Sequence, residues 1–226
     1  MHQQQAKLVL IGRSAQRVER VAADIRTRSP GAEIQVIQTE FLDATAIESV
    51  VDCVVAQGKV DIVLIAQGVL PDQVACQRDL ANCRDALEIN ALSPVFFAEA
   101  FAKHLSTQSA GTIALIGSVA GDRGRKSNYV YGAAKSLVAC YAQGLQHRFA
   151  DSGVRVVLIK PGPTDTPMTA HLKGLGQSLA PVEVVAKQIV EAVKSGKTEV
   201  YTPRRWLLIM RVIRWLPAWI FNKLNI

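Results

Sequence analysis

Tyr131 and Lys135 stand four positions apart in the run NYVYGAAK (128–135), so on a helix their side chains share one face, a turn apart. An ammonium near a phenol favours the phenolate and draws a pKa of about 10 toward the range in which the group exchanges protons at neutral pH. Tyr131 is therefore a candidate general acid/base. The Y-x-x-x-K pattern is common by chance in helices, where a surface tyrosine beside a lysine does no chemistry. A serine adds to it here: Ser118 closes an apolar run at a Gly-Ser-Val-Ala-Gly turn, thirteen positions before Tyr131. That spacing accommodates a loop and the first turn of a helix, so the two hydroxyls can converge on one carbonyl oxygen.

The elements that must hold these groups are legible in the apolar pattern. Lys7–Arg13, Glu33–Phe41, Asp61–Gly68, Thr112–Ser118, Arg155–Gly162 and Thr198–Thr202 are short branched-aliphatic runs bounded by turn residues, and each predicts a strand. Helical periodicity fills 15–28, 44–57, 79–105, 129–150 and 182–195, with Pro181 suited to a first turn. Alternation of near-continuous apolar strands with helices predicts an α/β fold, a doubly wound parallel sheet of Rossmann-like type that binds ligands beyond the carboxyl ends of its strands. The expected division is one domain over 1–202 and a basic amphipathic tail over 203–226.

At 226 residues and 49% hydrophobic composition the chain is long enough for one sizeable core. The net charge of +7 invites a nucleic-acid reading, but Arg204, Arg205, Arg211, Arg214 and Lys223 all follow the last acid, Glu199. Subtracting these five from seven leaves about +2 for the rest, which argues against a phosphate-tracking surface. No nucleic-acid partner is expected. Cys53, Cys76, Cys83 and Cys140 have no C-x-x-C spacing, and His2, His104, His147 and His171 are scattered, so reduced thiols and no metal site are expected. The opening MHQQQAK lacks an export signal's charged and apolar regions, which predicts a cytoplasmic protein.

With DIVLIAQG (61–68), EINA (88–91), IGSVAG (116–121), YGAAK (131–135) and PGPTDTPM (161–168) in this order, residues 7–202 resemble the short-chain dehydrogenase/reductase family. The resemblance implies an NAD(P)-dependent oxidoreductase that interconverts a ketone and a secondary alcohol and forms a homo-oligomer. It implies that Tyr131 exchanges the proton with the carbonyl, that Lys135 lowers its pKa and holds the nicotinamide ribose, that Tyr131 and Asn90 also contact the cofactor, and that Ser118 polarises the carbonyl. Asn90 matches the family asparagine that interrupts a long helix and anchors a water-mediated proton path. Ala66 and Gly68 allow close backbone approach to the cofactor, although Gln67 stands where the family has asparagine. Pro161, Gly162, Thr164 and Thr166 fall where the family meets the nicotinamide carboxamide, and Phe41, after Glu40, falls beside the adenine. Arg13 and Ser14 occupy the place where NAD-preferring relatives carry an acid, which favours NADP over NAD because a guanidinium suits a 2′-phosphate.

The family's glycine-rich turn, which follows its first strand and receives the pyrophosphate, has no counterpart, so the sequence predicts a chain lacking its first βα unit of roughly 30 residues. That gap supports a competing reading, a non-catalytic or cofactor-deficient relative that binds or regulates. All three tryptophans, Trp206, Trp215 and Trp219, fall in the basic tail. Residues 206–221 would span about 24 Å as a helix, short of the ~30 Å hydrocarbon core, which predicts a peripheral contact with the inner face of a membrane through 204–226, the alternative being a tail that covers the substrate cleft or a dimer interface. The tail, with GDRGR (121–125) and the run 160–169, resembles bacterial members of the family that look like the reductase of decaprenyl-phosphate keto-sugar epimerisation. This implies a lipid-linked sugar as substrate, with Arg123 and Arg125 placed to meet a phosphate.

Overall fold

The computed structural model describes residues 7–174, 176 and 178–224. The chain divides into two compact units, one ending at Lys59 and one beginning at Val60. In the first, strands β1 (Lys7–Gly12) and β2 (Glu33–Gln38) pair in parallel, from Lys7 opposite Glu33 to Gly12 opposite Gln38. Helix α1 (Ala15–Arg28) makes the crossover between them and α2 (Ala44–Val55) follows β2. Each helix begins where a short polar side chain occupies an orphan N–H: Ser14 accepts from the Arg17 N–H at 3.4 Å and Asp43 from the Ala46 N–H at 3.1 Å. The apolar stripe of α2 buries Ile47, Val50, Val51 and Val54.

The second unit holds a parallel sheet of four strands in the order β3 (Ile62–Ile65), β4 (Gly111–Ile116), β5 (Val154–Pro161) and β6 (Glu199–Thr202). Its core lies over β4 and β5, where Ile113, Leu115, Val157, Leu158 and Ile159 are fully enclosed. The long helices α5 (Ser93–Gln108) and α6 (Tyr129–Arg148) bury Phe97, Phe101, Leu105, Val138, Ala142 and Leu145. Helix α8 (Val182–Ser195) starts on Pro181 and ends at Gly196, whose φ of 65° terminates it. The α/β architecture with a parallel sheet agrees with the apolar pattern.

Two departures bear on function. The helix expected over 79–105 is α4 (Leu80–Leu87), a π turn (Glu88–Leu92) and α5 in succession, with α3 (Gln73–Arg78) ahead of it. The strands β3 and β4 also stop short of Ala66 and Gly117, so both segments leave the sheet just where the sequence places its chemistry. After β5 the chain runs through a 3-10 turn (Pro167–Thr169) into α7 (Ala170–Gly174), and the last elements are α9 (Arg205–Trp215) and α10 (Ala218–Phe221).

Candidate active site

Ser118 leaves the end of β4 and caps a 3-10 turn over Val119–Asp122, its hydroxyl accepting from the Ala120 N–H at 3.1 Å. The Gly117 N–H donates to the Ile159 carbonyl at 2.7 Å, which fixes the exit of β4 against β5. The turn then lies directly on the backbone of α6. A Cβ added at Gly121 would sit 2.7 Å from the Lys135 carbonyl carbon and 2.9 Å from the Ser136 nitrogen, so only glycine allows this approach. The start of α6 is held in turn by α3, because the Val130 N–H donates to the Gln73 side-chain oxygen at 3.0 Å. Tyr131 is thereby placed on the first turn of α6, half-buried, with the Ser118 side chain close enough to bear on the proton affinity of its hydroxyl.

Lys135 is buried one turn further on, with Nζ 5.8 Å from the Tyr131 ring centroid and donating to the Ile116 carbonyl at 3.0 Å. The sequence leads one to expect a Tyr131 pKa drawn down by this ammonium. Instead burial pushes the phenol above its ordinary value, with the nearby Ser118 side chain acting in the opposite direction. The same desolvation lowers Lys135 from 10.5 to about 8. Burial thus opposes both charged forms, and proton exchange at Tyr131 depends on Ser118 and on whatever further charge enters the site.

The depressed lysine has a consequence for stability. Between about 8 and 10.5 the folded chain binds fewer protons at Lys135 than the unfolded chain, so the burial cost is full below pH 8 and is relieved as the pH rises. From about pH 7.5 to about pH 9.5 the relief amounts to about 2 kcal/mol. Denaturant titrations at those two pH values should show this gain in the native sequence and not in Lys135→Met.

Asn90 is fully buried in the π turn, its side-chain oxygen accepting from the Val69 N–H at 2.9 Å and its Nδ2 donating to the Ala86 carbonyl at 2.8 Å. It therefore ties the segment leaving β3 to the helix interruption. A Cβ at Gly68 would meet the Asn90 oxygen at 2.9 Å and Lys135 Nζ at 3.5 Å, so Gly68, Asn90 and Lys135 share one cradle that a side chain would fill. Ala66 is exposed beside it, and Gln67 turns away to donate to the Ser93 hydroxyl at 3.3 Å. Pro161 ends β5, and Gly162 is buried, donating its N–H to the Thr202 carbonyl at 2.9 Å. Thr164 donates its hydroxyl back to the Gly162 carbonyl at 2.9 Å, and Thr166 forms a capping box with Thr169. A small open backbone at Gly68 beside a buried ammonium and two hydroxyls suits the ribose end of a nicotinamide dinucleotide. Arg13, exposed, Ser14, half-buried at the cap of α1, and Phe41, half-buried, belong to the first unit.

One constellation went unnoticed in the sequence. Lys160, inside β5, is buried with its ammonium 2.7 Å from an Asp122 oxygen and paired also with Glu199, while Tyr201 donates to the other Asp122 oxygen at 2.7 Å. Burial disfavours the charged Lys160, but the hydrogen bonds to Asp122 and Glu199 outweigh it and raise its pKa. The only sequence signal was a lysine directly after the apolar run Val156–Ile159. The inward side of α9 fits the alternative of a tail laid over the site: Trp206, Met210 and Ile213 pack with Val119 and Tyr201, and the Trp206 indole abuts Gly162. Arg123, expected to be available to a phosphate, is committed: it donates to the carbonyls of Ile213 at 2.5 Å and Leu216 at 2.6 Å and lies 3.9 Å from the Phe221 ring centroid. Arg125 donates to the Met210 sulfur at 3.4 Å, and burial lowers its pKa.

Residues 1–174 match the short chain dehydrogenase family, the span that contains Asn90, Ser118, Tyr131 and Lys135. The chain belongs to that family. This short-chain dehydrogenase is 30% identical over 223 residues to the "uncharacterized oxidoreductase in mprA 5′region" of Streptomyces coelicolor, with 97% of this chain and 86% of that protein aligned. It is 28% identical to an "uncharacterized oxidoreductase" of Mycobacterium tuberculosis, covering 97% of this chain and 88% of the relative. Among solved structures, a short-chain dehydrogenase from Burkholderia cenocepacia in complex with NADP superposes with a TM-score of 0.80 at 17% identity, over 97% of this chain and 86% of that one. A gluconate 5-dehydrogenase from the same organism, in complex with NADP and tartrate, gives 0.77 at 18% identity over 90% and 86%. At such identities these two structures establish the fold. The dehydrogenase is an oxidoreductase of the kind that acts on CH–OH groups.

Proposed function

We propose that this short-chain dehydrogenase interconverts a ketone and a secondary alcohol with NADP(H), NAD being the weaker cofactor. The observation that carries the reading is the buried Lys135 ammonium 5.8 Å from the Tyr131 ring, on the helix against which the turn capped by Ser118 packs through Gly121. Ser118 holds the substrate oxygen, and Tyr131 gives it a proton in reduction or takes one in oxidation. Lys135 and Asn90, beside Gly68, hold the nicotinamide ribose, and Lys135 supplies the positive charge that compensates a phenolate. The cofactor, when bound, supplies or accepts the hydride. Pro161, Gly162, Thr164 and Thr166 form the nicotinamide side of the site, and Ala66 and Phe41 flank the rest of the dinucleotide. Arg13 and Ser14 receive the 2′-phosphate, a role supported by the lack of an acid at either position. Titration of binding by NADPH and NADH fluorescence tests this choice: Arg13→Ala should weaken NADPH about tenfold, the equivalent of ~1.4 kcal/mol, and leave NADH unchanged.

The substrate class we favour is a lipid-linked keto-sugar. Its support is the likeness to family members of that kind together with the tail, whose inward side reaches Gly162 and Val119. In this reading residues 1–202 supply the catalytic domain of a cytoplasmic homo-oligomer and 203–226 bring it to the inner face of a membrane as a peripheral protein. Asn225 and Ile226, at the end of that tail, lie outside the described residues. Oxidation of NADPH by soluble ketones, followed by the same assay with a polyprenyl-phosphate keto-sugar, tests the assignment in two steps. Turnover of the first without the second would keep the oxidoreductase chemistry and discard the lipid-linked substrate.

A further inference from the structure

We infer that the outer face of α9 and α10 is a docking surface for an anionic lipid bilayer. The two sides of α9 have opposite fates. Trp206, Met210 and Ile213 face inward against Val119 and Tyr201, whereas Leu208, Val212 and Trp215, at helical spacings of four and three, are 66%, 64% and 87% exposed. Trp219, on α10 after Pro217, continues the exposed apolar set at 68%. Such a row of large apolar side chains in water needs a partner.

The charges around the row say which partner. Arg204 at the cap of α9 and Arg205, Arg211 and Arg214 on it flank the row, Lys223 follows α10, and all five are exposed. No acidic side chain occurs after Glu199, and Arg204 pairs with Glu191 at 3.7 Å. An apolar face rich in tryptophan inside a cationic rim matches the boundary between anionic headgroups and acyl chains. It does not match a second copy of the same face, because five cations would meet five cations. Among the described residues no helix is long and apolar enough to cross a membrane, so the contact lies along the surface.

The surface is also built to hold its shape. The Arg123 guanidinium takes up the carbonyls at the C-terminal end of α9 and lies on the Phe221 ring of α10, which fixes the two helices relative to each other. The inward side of the same helix abuts Gly162 and the residue after Ser118. Docking would therefore place the wall of the catalytic site at the lipid boundary. The inference extends the peripheral location proposed above and is tested without any substrate.

The full chain is floated with vesicles of equal parts phosphatidylglycerol and phosphatidylcholine and, separately, with phosphatidylcholine alone. Partitioning to the anionic vesicles is expected, with a blue shift in tryptophan emission and weakening as salt is raised. Trp215→Ala/Trp219→Ala should abolish the blue shift and lower partitioning at least tenfold. Arg211→Ala/Arg214→Ala should lower it about 30-fold, from about fivefold for each cation near an anionic surface. Both pairs are exposed, so unchanged thermal melts and unchanged turnover of a soluble ketone are expected. Equal partitioning of the native and double-tryptophan chains, binding to neither vesicle, or a concentration-dependent dimer that the tryptophan pair dissolves while vesicles are ignored would overturn the inference. Loss of ketone turnover with vesicle binding intact would instead count against the catalytic reading alone.

Discussion

Tyr131→Phe is expected to lower kcat by about 10²–10⁴-fold, the range that a positioned general acid/base contributes. The substitution removes one oxygen and keeps the ring, so the packing that leaves Lys135 Nζ 5.8 Å from the ring centroid is preserved. The Lys135 bond to the Ile116 carbonyl, at 3.0 Å, does not involve the hydroxyl and should persist. NADPH binding, read by fluorescence titration, should therefore change by less than about twofold, well under the ~1.4 kcal/mol of a tenfold effect. A fall in affinity equal to the fall in kcat would mean that the phenol serves binding. A melting temperature close to that of the native chain would confirm that the loss is chemical, since a single hydroxyl's hydrogen bond is worth only about 1 kcal/mol.

Gly121→Val should be the most damaging change outside the reacting groups. The turn after Ser118 reaches α6 only because residue 121 has no side chain, and the atoms a Cβ would meet belong to the backbone of Lys135 and Ser136. Backbone inside a helix cannot move aside as a flexible side chain does, so the turn must lift. Overpacking of this kind costs about 1–3 kcal/mol, or a fall of roughly 2–12 °C in Tm for a domain of this size. Activity should fall further than stability, because lifting the turn separates Ser118 from Tyr131. Gly124→Val, three residues on where an added Cβ meets nothing within 4 Å, is the control and should leave both quantities near native values. If the two variants behave alike, the close approach at Gly121 does not position the serine.

The order of motifs singled out Ser118, Tyr131, Lys135 and Asn90 as the proposed site, and the structure sets Lys135 beside Tyr131 and, with Asn90, around Gly68. The alternating apolar runs likewise showed the strands, since β4 and β5 are enclosed on both faces and contain little but aliphatic side chains. What the sequence concealed has physical causes. The π turn at Glu88–Leu92 has the same apolar spacing as the helices it separates, and its one extra backbone step leaves no compositional mark. Helix α3 is six residues long, too short for a periodicity to declare itself. The three tryptophans of the tail read as one class, yet Trp206 lies on the side of α9 opposite Leu208 and Val212 and packs inward, whereas Trp215 is 87% exposed. Arg123 and Arg125 read as free loop cations because their partners, the end of α9 and Met210, lie 85 or more positions away. The proton affinity of Tyr131 was misjudged for a related reason: spacing reveals the nearby ammonium but not the burial that opposes it.

NADPH oxidation driven by a soluble ketone, compared among the native chain, Ser118→Ala, Tyr131→Phe and the double variant, tests the catalytic claim most directly. Residues that act as one unit lose function together, so the double variant should be no slower than the slower single variant. Losses that multiply, or a Tyr131→Phe enzyme that turns over at the native rate, would show that Ser118 and Tyr131 do not share one proton-handling site.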